Sequence, residues 1–306
     1  MIVTILKVLG VITFALLTLV GCQTIRNSGN IPLAAPSPET LRIATYNVHY
    51  IILERDTGAW SVGDWERRKT PLDLAFKAVG ADVIGFQEME SFGRGSGGRI
   101  NLTLDWLLEN NPDYAAAAVG DPSAFPSTQP ILYRPARLTL LDQGWFFFSD
   151  TPDVIYSRTF NGSFPAFTSW AQFRDDRSGE VFRVVNLHTD FGSRSNRIQS
   201  IELVADRIKP WMNENETLFV IGDFNGRIGD TVVDILADMG LDFAPVQGST
   251  FHFNSGINLF GAIDHIATTG TAQLVNEPVV LRQKFDGEWP TDHYPVVADY
   301  LLGADR

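Results

Sequence analysis

The sequence predicts an α/β sandwich with mixed sheets, and two observations carry that prediction. Strand-like and helix-like runs alternate in part, yet several strand runs follow one another with no helix between them, which a doubly wound parallel sheet does not allow. The 306 residues, 44% of them hydrophobic, can also bury one large core, as a single domain of about 250 residues does. Charged residues make up 20%, which excludes a disordered chain. The net charge of −12 argues against broad, sequence-independent adhesion to nucleic acid, which relies on a Lys/Arg-rich face; a local basic groove stays open.

The N-terminus reads as a targeting segment. Val8 to Val20 is an apolar run shorter than the roughly 20 residues of a spanning helix, preceded by Lys7 and followed by small residues, as in a signal peptide. Leu19-Val20-Gly21-Cys22 resembles the lipobox of bacterial lipoproteins, in which the cysteine is lipidated, and Cys22 is the only cysteine of the chain. Plain cleavage and an uncleaved anchor are the alternatives. The expected division is a lipoprotein signal peptide over 1–22, a Ser/Pro/Asn/Ala-rich flexible tether over 23–40 and one domain over 41–306. The expected location is extracytoplasmic, on a bacterial membrane through the lipid, with Gln23 favouring the outer membrane over the inner. No disulfide framework is available, and no protein partner is evident.

In the domain, Leu41 to Val48 alternates as a strand with Asn47 near its end. Thr70-Pro71-Leu72-Asp73 predicts a helix start, with Thr70 as cap, Pro71 in the first helical position and Leu72, Phe76 and Val79 inward. Val83 to Phe86 is a second strand leading to Gln87-Glu88. The glycine-rich stretch Phe92 to Gly98, with Arg94 and Arg99 in or beside it, lacks a nucleotide-binding spacing and reads as an ordinary loop. A short helix over 102–108 and strands near 131–133, 138–141, 167–173 and 181–187 follow, and the aromatic run Trp145 to Phe148 suits a sheet covered on both faces. Arg194 to Trp211 has helical period. Leu218 to Ile221 is a buried strand entering Gly222-Asp223-Phe224-Asn225, Asp230 caps a second amphipathic helix, and Ile263 to Ala267 and Val296 to Leu301 are the last strands.

Polar residues stand at the strand ends: Asn47, Glu88, His188, Asp223 with Asn225, Asp264, and Asp292 with His293. Oxygen donors dominate, which suits Mg²⁺ or Mn²⁺ better than zinc, and carboxylates with two histidines would suit metal-assisted attack on phosphorus. Taken singly, each has an ordinary reading as a turn residue, a solvated strand end, a satisfied core histidine or a cap. Six such strand ends together are much harder to explain that way.

These motifs, Thr45-Tyr46-Asn47-Val48, Gly85-Phe86-Gln87-Glu88, Asn186-Leu187-His188-Thr189, Gly222-Asp223-Phe224-Asn225, Ile263-Asp264-His265-Ile266 and Thr291 to Val296, resemble in order those of the endonuclease/exonuclease/phosphatase family, the deoxyribonuclease I-like hydrolases. Trp65 with Arg67, Arg68 and Leu72, then Arg197 behind Asp190, then Thr250-Phe251-His252 extend the likeness to the bacterial secreted branch. The resemblance implies a four-layer α/β sandwich and a Mg²⁺- or Mn²⁺-dependent hydrolase. It implies Glu88 as metal ligand with Asn47 and Asp292, His293 as base or proton carrier oriented by Asp264, and Asp223 and Asn225 placing water and phosphate. His188 would stabilise the phosphoryl charge, and Tyr133, Arg158 and Arg197 would contact substrate. His265 departs from the Tyr or Arg common at that place. The resemblance implies a phosphoester substrate, nucleic acid for a phosphodiesterase or nuclease being the leading expectation, and a phospholipid headgroup or other small phosphoester for a phosphatase or sphingomyelinase-like diesterase the alternative. A catalytically idle envelope lipoprotein is the reading of another class, and the complete set of site residues speaks against it.

Overall fold

Side-chain alternation decides the layers, because successive strand residues face opposite sides and in this chain both sides are apolar. In the computed structural model, which describes residues 2–93, 98–214, 216–270 and 272–303, Ile43, Val83, Val184 and Ile221 face one shared core. Their neighbours Ala44 and Ile84 face a second core, and Val185 and Val220 a third. Each sheet is therefore covered twice. The first runs Gln273–Leu274, Val296–Leu301, Leu41–Asn47, Val83–Gln87, Ile131–Tyr133, Ala115–Ala117, with Val279–Val280 also on Val296–Leu301. The second runs Asp242–Phe243, Asp264–Thr268, Thr217–Asp223, Val181–His188, Phe167–Asp175, Leu138–Phe147. Helices Val62–Val79 and Leu102–Asn110 pack on the outside of the first, Arg194–Asn213 and Thr231–Asp238 on the outside of the second. The result is the expected four-layer sandwich.

The register brings the strand ends together. Leu41–Asn47 runs parallel to Val83–Gln87, with Asn47 beside Gln87, and antiparallel to Val296–Leu301. Thr217–Asp223 runs parallel to Val181–His188, with Asp223 beside His188, and antiparallel to the strand that starts at Asp264. All six functional strand ends thus open on one edge of the sandwich. Just below it, Gly85 lets the sheets close in: a Cβ there would lie 2.7 Å from Ile221 Cδ1 and 2.9 Å from the Asn186 side chain. Across that gap the buried Gln87 amide donates to Asn186 Oδ1 at 2.6 Å, and Asn186 Nδ2 donates to the Phe86 carbonyl at 2.8 Å.

Three local expectations are corrected. The first domain helix begins at Val62, capped by Ser61, whose Oγ accepts from Asp64 N at 3.0 Å, and Pro71 lies inside it. Burial of Trp65 and Arg68 outweighs the local cap signal at Thr70, and Asp73 instead accepts from Lys77 Nζ and Asn111 Nδ2. The strand expected over 138–141 runs on to Phe147 and takes in the first three residues of the aromatic run, whose Phe146, Phe147 and Phe148 are buried, as a sheet covered on both faces requires. Asp230 stands before its helix but makes no capping bond with its side chain, which accepts from Arg227 N at 2.8 Å. Arg94 lies outside the described residues.

The N-terminal segment forms a helix, Ile2–Arg26, with Cys22 exposed. Over Lys7–Arg26 its mean hydropathy is 2.1, long and apolar enough by composition to cross a membrane, as signal sequences also are. The stretch after it touches the domain. Asn27 Nδ2 donates to the Asn258 carbonyl at 3.2 Å, Ser249 N to the Asn27 carbonyl at 3.0 Å, and Arg42 to the Ala34 carbonyl at 2.8 Å.

Replacing Asn186 with Ala should cost about 2–4 kcal/mol, since it leaves the Gln87 amide and the Phe86 carbonyl short of partners in a dry interior. Urea unfolding reads this directly, and a loss below about 0.5 kcal/mol, the range of an inconsequential surface change, would show that the amide pair does not hold the sheets.

Candidate active site

Asp264 opens the strand Asp264–Thr268, and His293 comes from the loop before Val296–Leu301. Thr250 fixes the first, its Oγ1 accepting from the backbone N–H groups of Ile263 and Asp264 at 3.0 and 3.2 Å. His293 donates Nδ1–H to Asp264 Oδ2 at 2.9 Å, which sets the ring and leaves Nε2 3.8 Å from Asp223 Oδ2. All three side chains are buried. Burial by itself lowers the His293 pKa, but the carboxylates of Asp264, Asp223 and Asp292 overcome it and push it up to about 10. Burial, then the charge of Asp264, raise Asp223 to about 6. His293 is therefore an imidazolium at neutral pH, the counter-ion of two buried carboxylates.

A second group adjoins the first. Asn47 Nδ2 donates to both Glu88 Oε1 and Asp223 Oδ2, each at 3.1 Å, while its Oδ1 accepts from His49 N. Glu88 sits at φ 54°, a left-handed backbone that turns its side chain off the strand line and into the site. His188 Nε2 lies 3.7 Å from Glu88 Oε1 and 3.6 Å from Asp223 Oδ2. Asn225, also left-handed, donates Nδ2 to the Thr189 carbonyl and its backbone N–H to Asp223 Oδ1. Asp292 accepts from Thr291 Oγ1 at 3.2 Å; burial alone would raise its pKa, but His293 and His49 hold it below the usual carboxylate range.

The donor set fits a divalent cation. Carboxylate oxygens of Asp223 and Asp264 lie within 4.8 Å of each other, and Asp264 Oδ1 is buried without a hydrogen-bond partner. Asn47 ties Glu88 to Asp223, so the expected ligands Asn47 and Glu88 and this cluster share the Asp223 carboxylate. Glu88, with Asn47 and Asp292 beside it, would hold the ion, and Asp223, raised by burial and then by the charge of Asp264, gains from the ion's charge.

No family model matches this chain, and no curated protein does. Solved structures do. An endonuclease/exonuclease/phosphatase family protein from Bacteroides thetaiotaomicron superposes with TM-score 0.72 at 23% identity, covering 87% of this chain and 99% of its own. A mannosyl-6-phosphatase of the same species gives TM-score 0.72 at 24% identity over 86% of this chain and 100% of its own. The human nocturnin catalytic domain, with bound sulfate, gives 0.60 at 14% over 86% and 94%. This is the endonuclease/exonuclease/phosphatase fold.

Within this fold the expected substrate residues part company. Tyr133 is corrected: it pairs with Val83, at the far end of the strand that delivers Gln87 and Glu88, and its ring packs on Phe173. An isolated tyrosine at a strand end carries no sign of which end faces the site. Arg197 spends Nη1 on the carbonyls of Asp190 and Phe191, both at 2.8 Å, and so shapes the loop after His188. The Arg158 guanidinium holds the Gly162 carbonyl on an exposed loop at the same edge. His265 turns away from the site, donating Nε2–H to the Gly226 carbonyl at 2.9 Å between Phe224 and Phe243.

Three further residues, with no local sequence signal for a role, stand around the site. Arg68, buried, donates to the carbonyls of Val48, His49 and Pro290, joining the loops that carry Asn47 and Asp292. His49, two residues past Asn47, is buried and lines a cavity of about 820 Å³ with Asp292, Trp60, Phe253 and Trp289. Glu90, one strand step beyond Glu88, is pushed up to about 7 by burial and then by Glu88.

Asp264→Asn should lower the pKa of both His293, which loses its chief stabilising charge, and Asp223, which loses a repelling one. NMR titration of the ion-free protein checks both signs, and an unmoved His293 would break the pairing.

Proposed function

We propose that the chain is a divalent-cation-dependent phosphoester hydrolase, Mg²⁺ or Mn²⁺ being the ion that oxygen donors favour. The observation that carries this is the junction at Asp223, which Asn47, His188 and His293 meet within hydrogen-bond or near ion-pair distance and which Asn47 links to Glu88 and His293 to Asp264. When bound, the ion supplies Lewis-acid polarisation of a phosphoryl oxygen. The chain's own residues do the rest. Asp223, ionised above about 6, can accept a proton from an attacking water, while His293, expected as base or proton carrier, takes the carrier's part. The His293 imidazolium, held by Asp264, donates Nε2–H toward the phosphoryl oxygens or the leaving group, and His188 faces the same point. Asn225 and Asn47 keep the carboxylates apart and aimed.

Among substrates, the cavity beside the site favours a small or headgroup phosphoester over nucleic acid. It is lined by Asp56, Asp64, Glu288 and Asp292 against the single cation Arg67, itself paired with Asp64 and Glu288, and a polyanion would meet repulsion there. The mannosyl-6-phosphatase neighbour supports a monoester. The N-terminal apolar helix and Cys22 support an extracytoplasmic, membrane-anchored protein, held by the uncleaved helix or, after cleavage, by lipid on Cys22.

The full chain, assayed on sugar phosphates, a chromogenic monoester, a chromogenic diester, single-stranded DNA and RNA, should cleave a small ester with Mg²⁺ and not with EDTA. Glu88→Gln and His293→Ala should each lose two or more orders of magnitude in kcat/KM, the scale of a lost electrostatic or proton-transfer contribution, with the fold intact. Near-full activity in either variant would overturn the mechanism, and cleavage of nucleic acid alone would overturn the substrate preference.

A further inference from the structure

Outside the N-terminal helix, the large aromatic side chains left exposed among the described residues gather at one end, with Ile228 beside them. Trp60, Phe164, Phe191, Ile228, Phe253 and Phe260 are 39%, 85%, 85%, 59%, 45% and 48% exposed. Each lies on a loop that leaves or enters a strand at the edge bearing the site. Trp60 follows Asn47, Phe191 follows His188, Ile228 follows Asp223, Phe253 and Phe260 precede Asp264, and Phe164 lies in the connection from Phe147 to Phe167, whose Thr168 pairs with Leu187 beside His188. Among the described residues, the exposed apolar ones at the other end of the sheets are few and aliphatic, Val181 and Val275 being two of them. Isolated exposed apolar residues need no explanation, but a ring of aromatic ones around a site does.

The same end receives the N-terminal helix. Its last turn, through Gln23 and Arg26, lines one depression with Asn27, Ile228 and Phe260. Beyond it Asn27 is bonded to Ser249 and Asn258, and Arg282 donates to the carbonyls of Gly29, Gln247 and Ser249. The end of an exposed apolar helix long enough to span a bilayer is thus fastened to the loop that carries Phe253 and Phe260. A further slot of about 540 Å³, lined by Tyr50, Ile52, Phe92, Phe147, Phe164 and Phe167, opens at this edge beside Glu90.

We infer that the catalytic end is a lipid-facing surface: the aromatic ring seats in the interfacial zone of the membrane to which the N-terminal helix attaches, with the apolar slot open to the non-phosphoryl part of a lipid phosphoester. Aromatic and aliphatic side chains partition into that zone, and the fastened helix end holds these loops close to it. The docking is apolar, because a chain of net charge −12 is repelled by anionic lipid, so the fitting surface is zwitterionic. The docking stands on the exposed ring and the helix; the lipid substrate rests on the hydrolase reading above.

The test uses the full chain with Cys22→Ser, which frees it for single-cysteine labelling. Phe191→Cys, Ile228→Cys, Val181→Cys and Val275→Cys are each labelled with an environment-sensitive fluorophore and reconstituted into phosphatidylcholine vesicles. Labels at 191 and 228 should shift to the blue and be quenched by lipids brominated in the acyl chain, with neither effect at 181 and 275. Aqueous emission at all four sites, or the same shift at all four, overturns the docking. In parallel, Phe191→Ser/Ile228→Ser should lower hydrolysis of a vesicle-borne lipid phosphoester about tenfold and leave a soluble chromogenic ester unaffected. Equal losses on both overturn the surface role. Docking without cleavage of any ester sinks the hydrolase reading and leaves the surface, while cleavage of the soluble ester without docking does the reverse.

Discussion

The side-chain amides of Gln87 and Asn186 meet across the two sheets, and the placement of the site follows from that contact. The bond of 2.6 Å is possible because Gly85 has no side chain, so the sheets approach there more closely than two β-branched surfaces would allow. Gln87 precedes Glu88, and Asn186 stands two residues before His188. Clamping one pair thus sets the separation of the other, and His188 Nε2 comes within 3.7 Å of Glu88 Oε1. A buried amide pair with both partners satisfied is also specific, since a slip of one residue in either strand would strand polar atoms in the interior.

Above the clamp the chemistry rests on charge that burial makes expensive. Asp223 and Asp264 lie buried side by side on paired strands, and the His293 imidazolium compensates them while Asn47 and Asn225 supply N–H donors. Such a cluster responds strongly to added positive charge, which is why it suits a cation and why removing one carboxylate shifts the others. Backbone strain serves the same end: Glu88, Asn225 and His49 all adopt left-handed conformations at the site edge.

The loops around this edge divide into two kinds. Those held by Arg68, Arg197 and Thr250 are fixed by hydrogen bonds to backbone groups, and they aim functional side chains. Others present aromatic rings outward and have no packing reason to do so. Fixed loops make chemistry reproducible, and outward rings make a contact surface, so the edge combines a reaction centre with the means of meeting an apolar phase.

Much of this was legible in the sequence because strand pattern and strand-end chemistry are local. Period-two runs gave the strands, and Asn47, Glu88, His188, Asp223, Asp264 and His293 stood out as polar residues at their ends. The mixed order of strands and helices gave the sandwich. Tertiary packing decided what has no local signal. Burial of Trp65 and Arg68 moved the helix start from Thr70 to Ser61, and pairing with Val83 carried Tyr133 to the far end of its sheet. Asp223 became the meeting point because two strand pairings and one asparagine converge on it. Sequence determines which residues can do chemistry; the distance between them belongs to the sheets, because only packing at long range brings residues 176 positions apart, Asn47 and Asp223, into one hydrogen bond.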